Sequence, residues 1–191
     1  RLNGLPSDFI LELAIDDEKN IWIGTLSGGA ARYGGDAFTY YTDESCLKNN
    51  FVYTLLEDSG DIWIGTGDGI TISENGLFTQ LNRDSGLADN QIYSLLKDRS
   101  GLIWVGTYSG VSIIENREVL QNVGKNEGIK SPVISLFEDD SSNIWIGTYG
   151  QGVFKFDGQN LINYGYQSGL TNDIIFDIDQ NENGDILLAT Y

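Results

Sequence analysis

"GDIWIGTGDG" spans residues 60–69, and three near-copies lie elsewhere: "NIWIGTLSGG" from Asn20, "LIWVGTYSG" from Leu102 and "NIWIGTYGQG" from Asn143. The tryptophans in these segments, Trp22, Trp63, Trp104 and Trp145, stand 41, 41 and 41 residues apart. So strict a period marks a tandem repeat, and it governs how every other residue is read. A second element recurs upstream of each Trp. "GLPSDFILELAIDDEKN" (4–20), "CLKNNFVYTLLEDSGD" (46–61), "GLADNQIYSLLKDRSG" (86–101), "GIKSPVISLFEDDSSN" (128–143) and "GLTNDIIFDIDQNENGD" (169–185) share one pattern. In the fifth copy "ILLATY" replaces "IWIGT", and Leu187 takes the Trp position after a spacing of 42. Cys46 falls where the other copies carry a turn glycine, and reads as a small turn residue rather than a reactive thiol.

Each copy reads as four short strands. Strand A ("FILELAID", "VYTLLED", "IYSLLKD", "VISLFED") alternates apolar and other residues with the two-residue period of a strand. A polar turn rich in Asp, Asn, Ser and Gly follows. Strand B, "IWIGT", is apolar on both faces, and its Gly leaves room for a neighbour to approach closely. Strand C ("GAARY", "GITIS", "GVSIIE", "GVFKF") and strand D ("FTYYT", "LFTQL", "EVLQNV", "LINYG") complete the unit, and no segment keeps a helical period. A repeat of this length with four strands is a β-propeller blade. The Trp then recurs because each blade needs the same bulky filler against the next, which makes Trp22, Trp63, Trp104 and Trp145 structural.

The expected fold is therefore all-β: a β-propeller of four-stranded antiparallel blades, with about 4.5 blades in the chain. The chain reads as a single partial propeller over 1–191, with blades at about 9–45, 51–85, 91–127 and 132–168 and a half blade at 174–191. Propellers close with roughly 4–8 blades, so the expectation is a piece of a larger propeller of about seven. If the chain stands alone, two copies are expected to pair through their half blades.

Composition narrows the function. The net charge is −17, with 28 acidic against 11 basic residues, which repels nucleic-acid phosphates and anionic membrane surfaces. The single cysteine excludes an internal disulfide and a cysteine metal cluster. No apolar run approaches the ~20 residues of a membrane span, and "RLNGLPSD" is not a signal peptide.

The string "GLPSDFILELAIDDEKNIWIGTLSGGAARY", with copies ending "IWIGTGDG", "IWVGTYSG" and "IWIGTYGQG", resembles the two-component regulator propeller repeat over essentially the whole chain. In that family such repeats build large propellers in the extracytoplasmic part of bacterial sensors, many of them hybrid histidine kinases that respond to oligosaccharides. The resemblance implies a non-catalytic periplasmic or extracellular sensor module. Its implied partners are an oligosaccharide ligand, the remainder of the propeller and the parent sensor. The alternative is a structural or protein-interaction propeller of a secreted or cell-envelope assembly. Cys46, Leu187 and Ala189 depart from the family pattern. The chain has no His and so cannot carry the phospho-acceptor of a kinase.

Chemistry is sparse. Without His there is no Ser–His or Cys–His nucleophile pair and no histidine metal ligand. The glycines fall at turn positions of the repeat rather than in a phosphate loop. The acid pairs Asp16–Asp17, Glu57–Asp58 and Glu138–Asp139 recur at the A–B turn, which is ordinary turn composition. "DQNENGDI" (179–186) places Asp179, Asn181, Asn183, Gly184 and Asp185 in the order of half a calcium loop, but position 12 falls on Thr190. In the repeat register this is the A–B turn of copy five, lengthened by one residue. No catalytic residue, metal site or cofactor is assigned. In an antiparallel blade the B–C and D–A loops share one rim. Leu26, Gly67, Tyr108, Tyr149 and Tyr191 all follow "GT" or "AT" there. The candidate ligand-binding residues are accordingly Tyr108, Tyr149 and Tyr191, with Ser27, Asp68, Ser109 and Gln151 to bond hydroxyls. The competing reading is that these tyrosines only pack against the adjacent blade.

Overall fold

The computed structural model describes residues 4–191; residues 1–3, the start of the "RLNGLPSD" stretch, lie outside it. The chain forms two compact units, one ending at Ile92 and one running Tyr93–Tyr191. In the first unit, β1 (Ile10–Ile15), β2 (Ile21–Thr25), β3 (Ala30–Tyr33) and β4 (Phe38–Tyr41) make blade 1. Blade 2 consists of β5 (Val52–Asp58), β6 (Asp61–Thr66), β7 (Gly69–Glu74) and β8 (Leu77–Leu81). The second unit holds nearly all of blade 3, with β9 (Ile92–Lys97), β10 (Ile103–Thr107), β11 (Gly110–Glu115) and β12 (Glu118–Gly124). Blade 4 follows as β13 (Val133–Glu138), β14 (Ile144–Thr148), β15 (Val153–Phe156) and β16 (Leu161–Tyr164), and β17 (Ile175–Gln180) pairs with β18 (Ile186–Thr190) as the half blade. Each sheet takes its strands in sequence order, as an antiparallel meander.

Interfaces between consecutive blades form the core. In the first unit, Trp22 and Ala30 of blade 1 cluster with Val52, Leu55, Ile62 and Ile64 of blade 2. In the second, Trp104, Val111 and Ile113 of blade 3 cluster with Ile144, Ile146 and Phe154 of blade 4. Trp145 packs against the cluster of Val153, Ile175 and Ile178. Trp22, Trp104 and Trp145 thus each sit between one blade and the next. Trp22 and Trp104 are 3% and 4% exposed, whereas Trp145, facing only a two-stranded sheet, stays half-buried. The strand-B glycines permit the close approach. A Cβ at Gly24 would stand 2.9 Å from Val52 Cγ1 of the next blade, and one at Gly106 would stand 2.8 Å from Val133 O.

Two local features exceed the sequence reading. Strand A carries a bulge before the residue opposite strand B's small position: Glu12 pairs Gly24, Thr54 pairs Gly65, Ser135 pairs Gly147 and Asp177 pairs Ala189. Such a bulge sharpens the local twist. One-turn 3-10 helices stand in the D–A connectors at Arg83–Ser85, Lys125–Glu127 and Tyr166–Ser168, each ended by a glycine at φ near 100°. Cys46 replaces that glycine in the first connector without adopting positive φ; there the Ser45, Cys46 and Leu47 amides all donate to Thr42 O. Among the described residues no helix is long and apolar enough to cross a membrane.

Candidate functional site

The B–C rim is built by the strand-B threonine. Thr25, Thr66, Thr107 and Thr148 are at most 1% exposed, and each donates its hydroxyl to a glycine carbonyl across the turn: Gly29, Gly69, Gly110 and Gly152. Each Oγ1 also accepts a turn amide, from Gly28, Asp68, Ser109 and Gln151 respectively. Ser27 therefore sits one position out of register with Asp68, Ser109 and Gln151. The cause is an extra residue in the B–C loops of blades 1 and 4. The D–A connectors come back to this rim: the Gly29 and Gly69 amides donate to Asn50 O and Asn90 O, and the Gly150 and Gly152 amides donate to Asp173 O.

The candidate residues differ in what they have to spare. Tyr108, Tyr149 and Tyr191, in the second unit, are 54%, 55% and 86% exposed. Tyr191 leans on Phe176 at 6.4 Å between centroids, and no ring contact among the described residues links the three to one another. Asp68 is engaged inside the rim, accepting from Asn90 Nδ2 at 2.8 Å. Gln151 spans to the preceding connector, accepting from the Lys130 amide and donating to Gly128 O. Ser27 and Ser109 are exposed, with Ser27 Oγ 3.5 Å from Ser7 Oγ.

The opposite, A–B rim holds residues whose role the sequence reading missed. Asp16, Asp98 and Asp139 each accept the indole N–H of the Trp six positions on, at 2.9, 2.7 and 2.8 Å. Asp139 also accepts from the Ser141 and Asn143 amides and the Asn143 side chain. Burial alone would raise the pKa of these carboxyls, but the hydrogen bonds outweigh it and hold all three below the ordinary value. The signal was present in the sequence as an Asp–Trp separation of six in blades 1, 3 and 4. The 179–186 stretch is the same turn: Asn181 Oδ1 accepts from the Asn183 and Asp185 amides, and the loop from Asn181 to Asp185 matches that from Asp139 to Asn143. It is not lengthened; the spacing of 42 comes from the longer B–C loop of blade 4. The Cys46 thiol is half-buried, and burial pushes its pKa up, away from thiolate reactivity.

The family model described as "two component regulator propeller" matches at residues 4–27, 46–68, 86–109 and 128–150, once per blade. The chain belongs to that repeat family. No curated protein matches it. Among solved structures, the extracellular domain of the hybrid two component system BT3049 from B. thetaiotaomicron is similar at 25% identity and a TM-score of 0.82, over 96% of this chain and 26% of that one. The corresponding domain of BT4673 from the same organism is 21% identical with a TM-score of 0.77, over 94% of this chain and 26% of that one. Virginiamycin B lyase from Staphylococcus aureus, 12% identical with a TM-score of 0.74 over 94% of this chain and 62% of that one, shares the fold. The propeller repeats thus span about a quarter of the sensor domains they resemble.

Proposed function

We propose that the chain is part of the extracytoplasmic sensor propeller of a two-component regulator, and that it contributes to ligand sensing without performing a reaction. The similarity to the BT3049 extracellular domain carries this reading. The acids support the non-catalytic part. Asp16, Asp98 and Asp139 are spent on indole N–H groups, and no His is present to act as a base. The outer face of blade 1 supports the view that a larger propeller continues past it. Ile10, Leu13 and Ile21 are 39%, 59% and 39% exposed, while their blade 2 counterparts Val52, Leu55 and Ile62 are 0%, 7% and 2%. An apolar face of that kind is a blade interface awaiting its neighbour.

The ligand in this reading is an oligosaccharide, met on the B–C rim where Tyr108, Tyr149 and Tyr191 are exposed. Thermal unfolding of the full-length protein against neutral and acidic oligosaccharides tests it. A dose-dependent rise in Tm is the expected result. No rise with any of them would remove the sugar-sensing reading.

A further inference from the structure

The corner where strand D of blade 4 enters its connector breaks the repeat. The residue after strand D is Thr42 in blade 1 and Asn82 in blade 2, and Asn82 Oδ1 accepts from the Asp84 and Ser85 amides. In blade 3 the corresponding residue is Gly124, the last of strand D, onto whose N–H the Glu127 carboxylate folds at 2.8 Å. Blade 4 has Gly165, and among the described residues no side chain closes over it in this way. A Cβ there would stand 3.1 Å from Asp173 Oδ1, 3.8 Å from Gln151 O and 3.9 Å from Asn163 Oδ1. Three oxygens therefore converge on space that the glycine leaves open. The resulting depression measures about 590 Å³, within the roughly 300–1,000 Å³ of small-molecule sites.

Its chemistry is also unlike the other corners. The connector helices of blades 2 and 3 carry Arg83–Asp84–Ser85 and Lys125–Asn126–Glu127, whereas blade 4 offers the uncharged Tyr166–Gln167–Ser168. Tyr166 is 71% exposed, and the Gln167 side chain makes no hydrogen bond among the described residues. One Asp173 carboxylate oxygen accepts from the Tyr166 amide at 2.7 Å, leaving the other to spare. Asn163 gives its amide hydrogens to Gln151 O and Val153 O and keeps its carbonyl open. Two acceptors, one free amide and an aromatic face suit a ring that bears hydroxyls on its edge and C–H groups on its face. No cationic side chain lines the depression, and the Asp173 carboxylate repels anions.

We propose that this depression is a subsite for one residue of a neutral saccharide, stacked on Tyr166 and held by Gln167, Asn163 and Asp173. The proposal rests on the ligand-sensing reading above. A glycan array of neutral and anionic oligosaccharides is probed with the full-length protein, and the strongest ligand is titrated by calorimetry into wild type, Tyr166→Ala, Gln167→Ala and, as a control on the exposed strand D of blade 2, Leu77→Ala. The expected ligand is neutral, and the first two variants each lose about fivefold in affinity with an unchanged Tm, while Leu77→Ala stays within about twofold. Affinity that survives both substitutions overturns the subsite and leaves sensing intact. Preference for an anionic glycan overturns the assignment of a neutral one. An array with no bound glycan overturns subsite and sugar sensing together.

Discussion

Blades 2 and 4 carry the same "IWIGT" strand but secure its Trp differently. In blade 4, Phe137 pairs Trp145, residues 139–143 make the turn, and Asp139 reaches back to the indole. In blade 2, Leu56 pairs Trp63 and the ladder runs on to Asp58 and Asp61, leaving only Ser59 and Gly60 to turn. Both of these have positive φ, the two-residue turn that matches strand twist. The Asp–Trp separation drops from six to five, and the Trp63 indole N–H is buried without a partner among the described residues. Leaving that donor unmade costs about 1–3 kcal/mol, while ordering one fewer residue in the turn saves about 1–2 kcal/mol. The two nearly offset, so the repeat demands the ring and tolerates either way of holding it. Copy five presents the complement: where Leu187 removes the N–H, the acid has become Asn181.

The comparison can be broken or sharpened by mutation. Trp104→Ala should destabilise by about 3–5 kcal/mol in urea unfolding, because a filled interblade site is emptied. Asp139→Ala should cost about 3 kcal/mol by stranding the Trp145 and Asn143 donors; an unchanged Cm would show that the carboxylate is ornamental. The Asp139→Asn variant adds a pH signature. The lowered pKa means the carboxylate's contribution is complete at pH 7 and is lost as pH falls through its folded value, so the gap from wild type should narrow below about pH 4. Trp104→Phe should cost about 2 kcal/mol more than Trp63→Phe, since only the former removes a made hydrogen bond. Equal losses would mean that Trp63 has found a partner, such as a buried water. Smallest of all, replacing residues 58–61 with the blade 3 turn "DRSGL" should stabilise blade 2 by about 1 kcal/mol or less, the bond gained being partly offset by the longer loop.

Blade architecture was legible because it is written in apolar alternation and in a period that five copies repeat. The interblade role of Trp22 and Trp104 and the close approach at Gly24 and Gly106 followed from the same pattern. What escaped was compensation. An added residue at the B–C loop of blade 1 and a missing one at the A–B turn of blade 2 cancel, so an even Trp spacing concealed both. The Asp–indole bonds were hidden because Asp is common in turns and composition cannot tell a solvated acid from one folded inward. On the other rim, the exposure of Tyr108 and Tyr149 agrees with either reading of them. The blade 4 depression depends on Asp173 and Gly165 meeting across a connector, which no local motif announces.

The links between blades in the second unit have a common reach. Arg99 Nη1 donates to Asp139 O, the Asp140 amide donates to Gln180 Oε1, and Ser135 Oγ donates to Ile175 O, each across 40 residues. That span is about one repeat. Copying or excising a whole repeat therefore keeps a backbone acceptor such as Asp139 O or Ile175 O one repeat away from its donor, while side-chain links are remade blade by blade: Ser94, at the Ser135 position of blade 3, has no partner among the described residues. Such a protein can lengthen by gene duplication on an unchanged backbone frame, and divergence then collects in the side chains, as it has around Gly165.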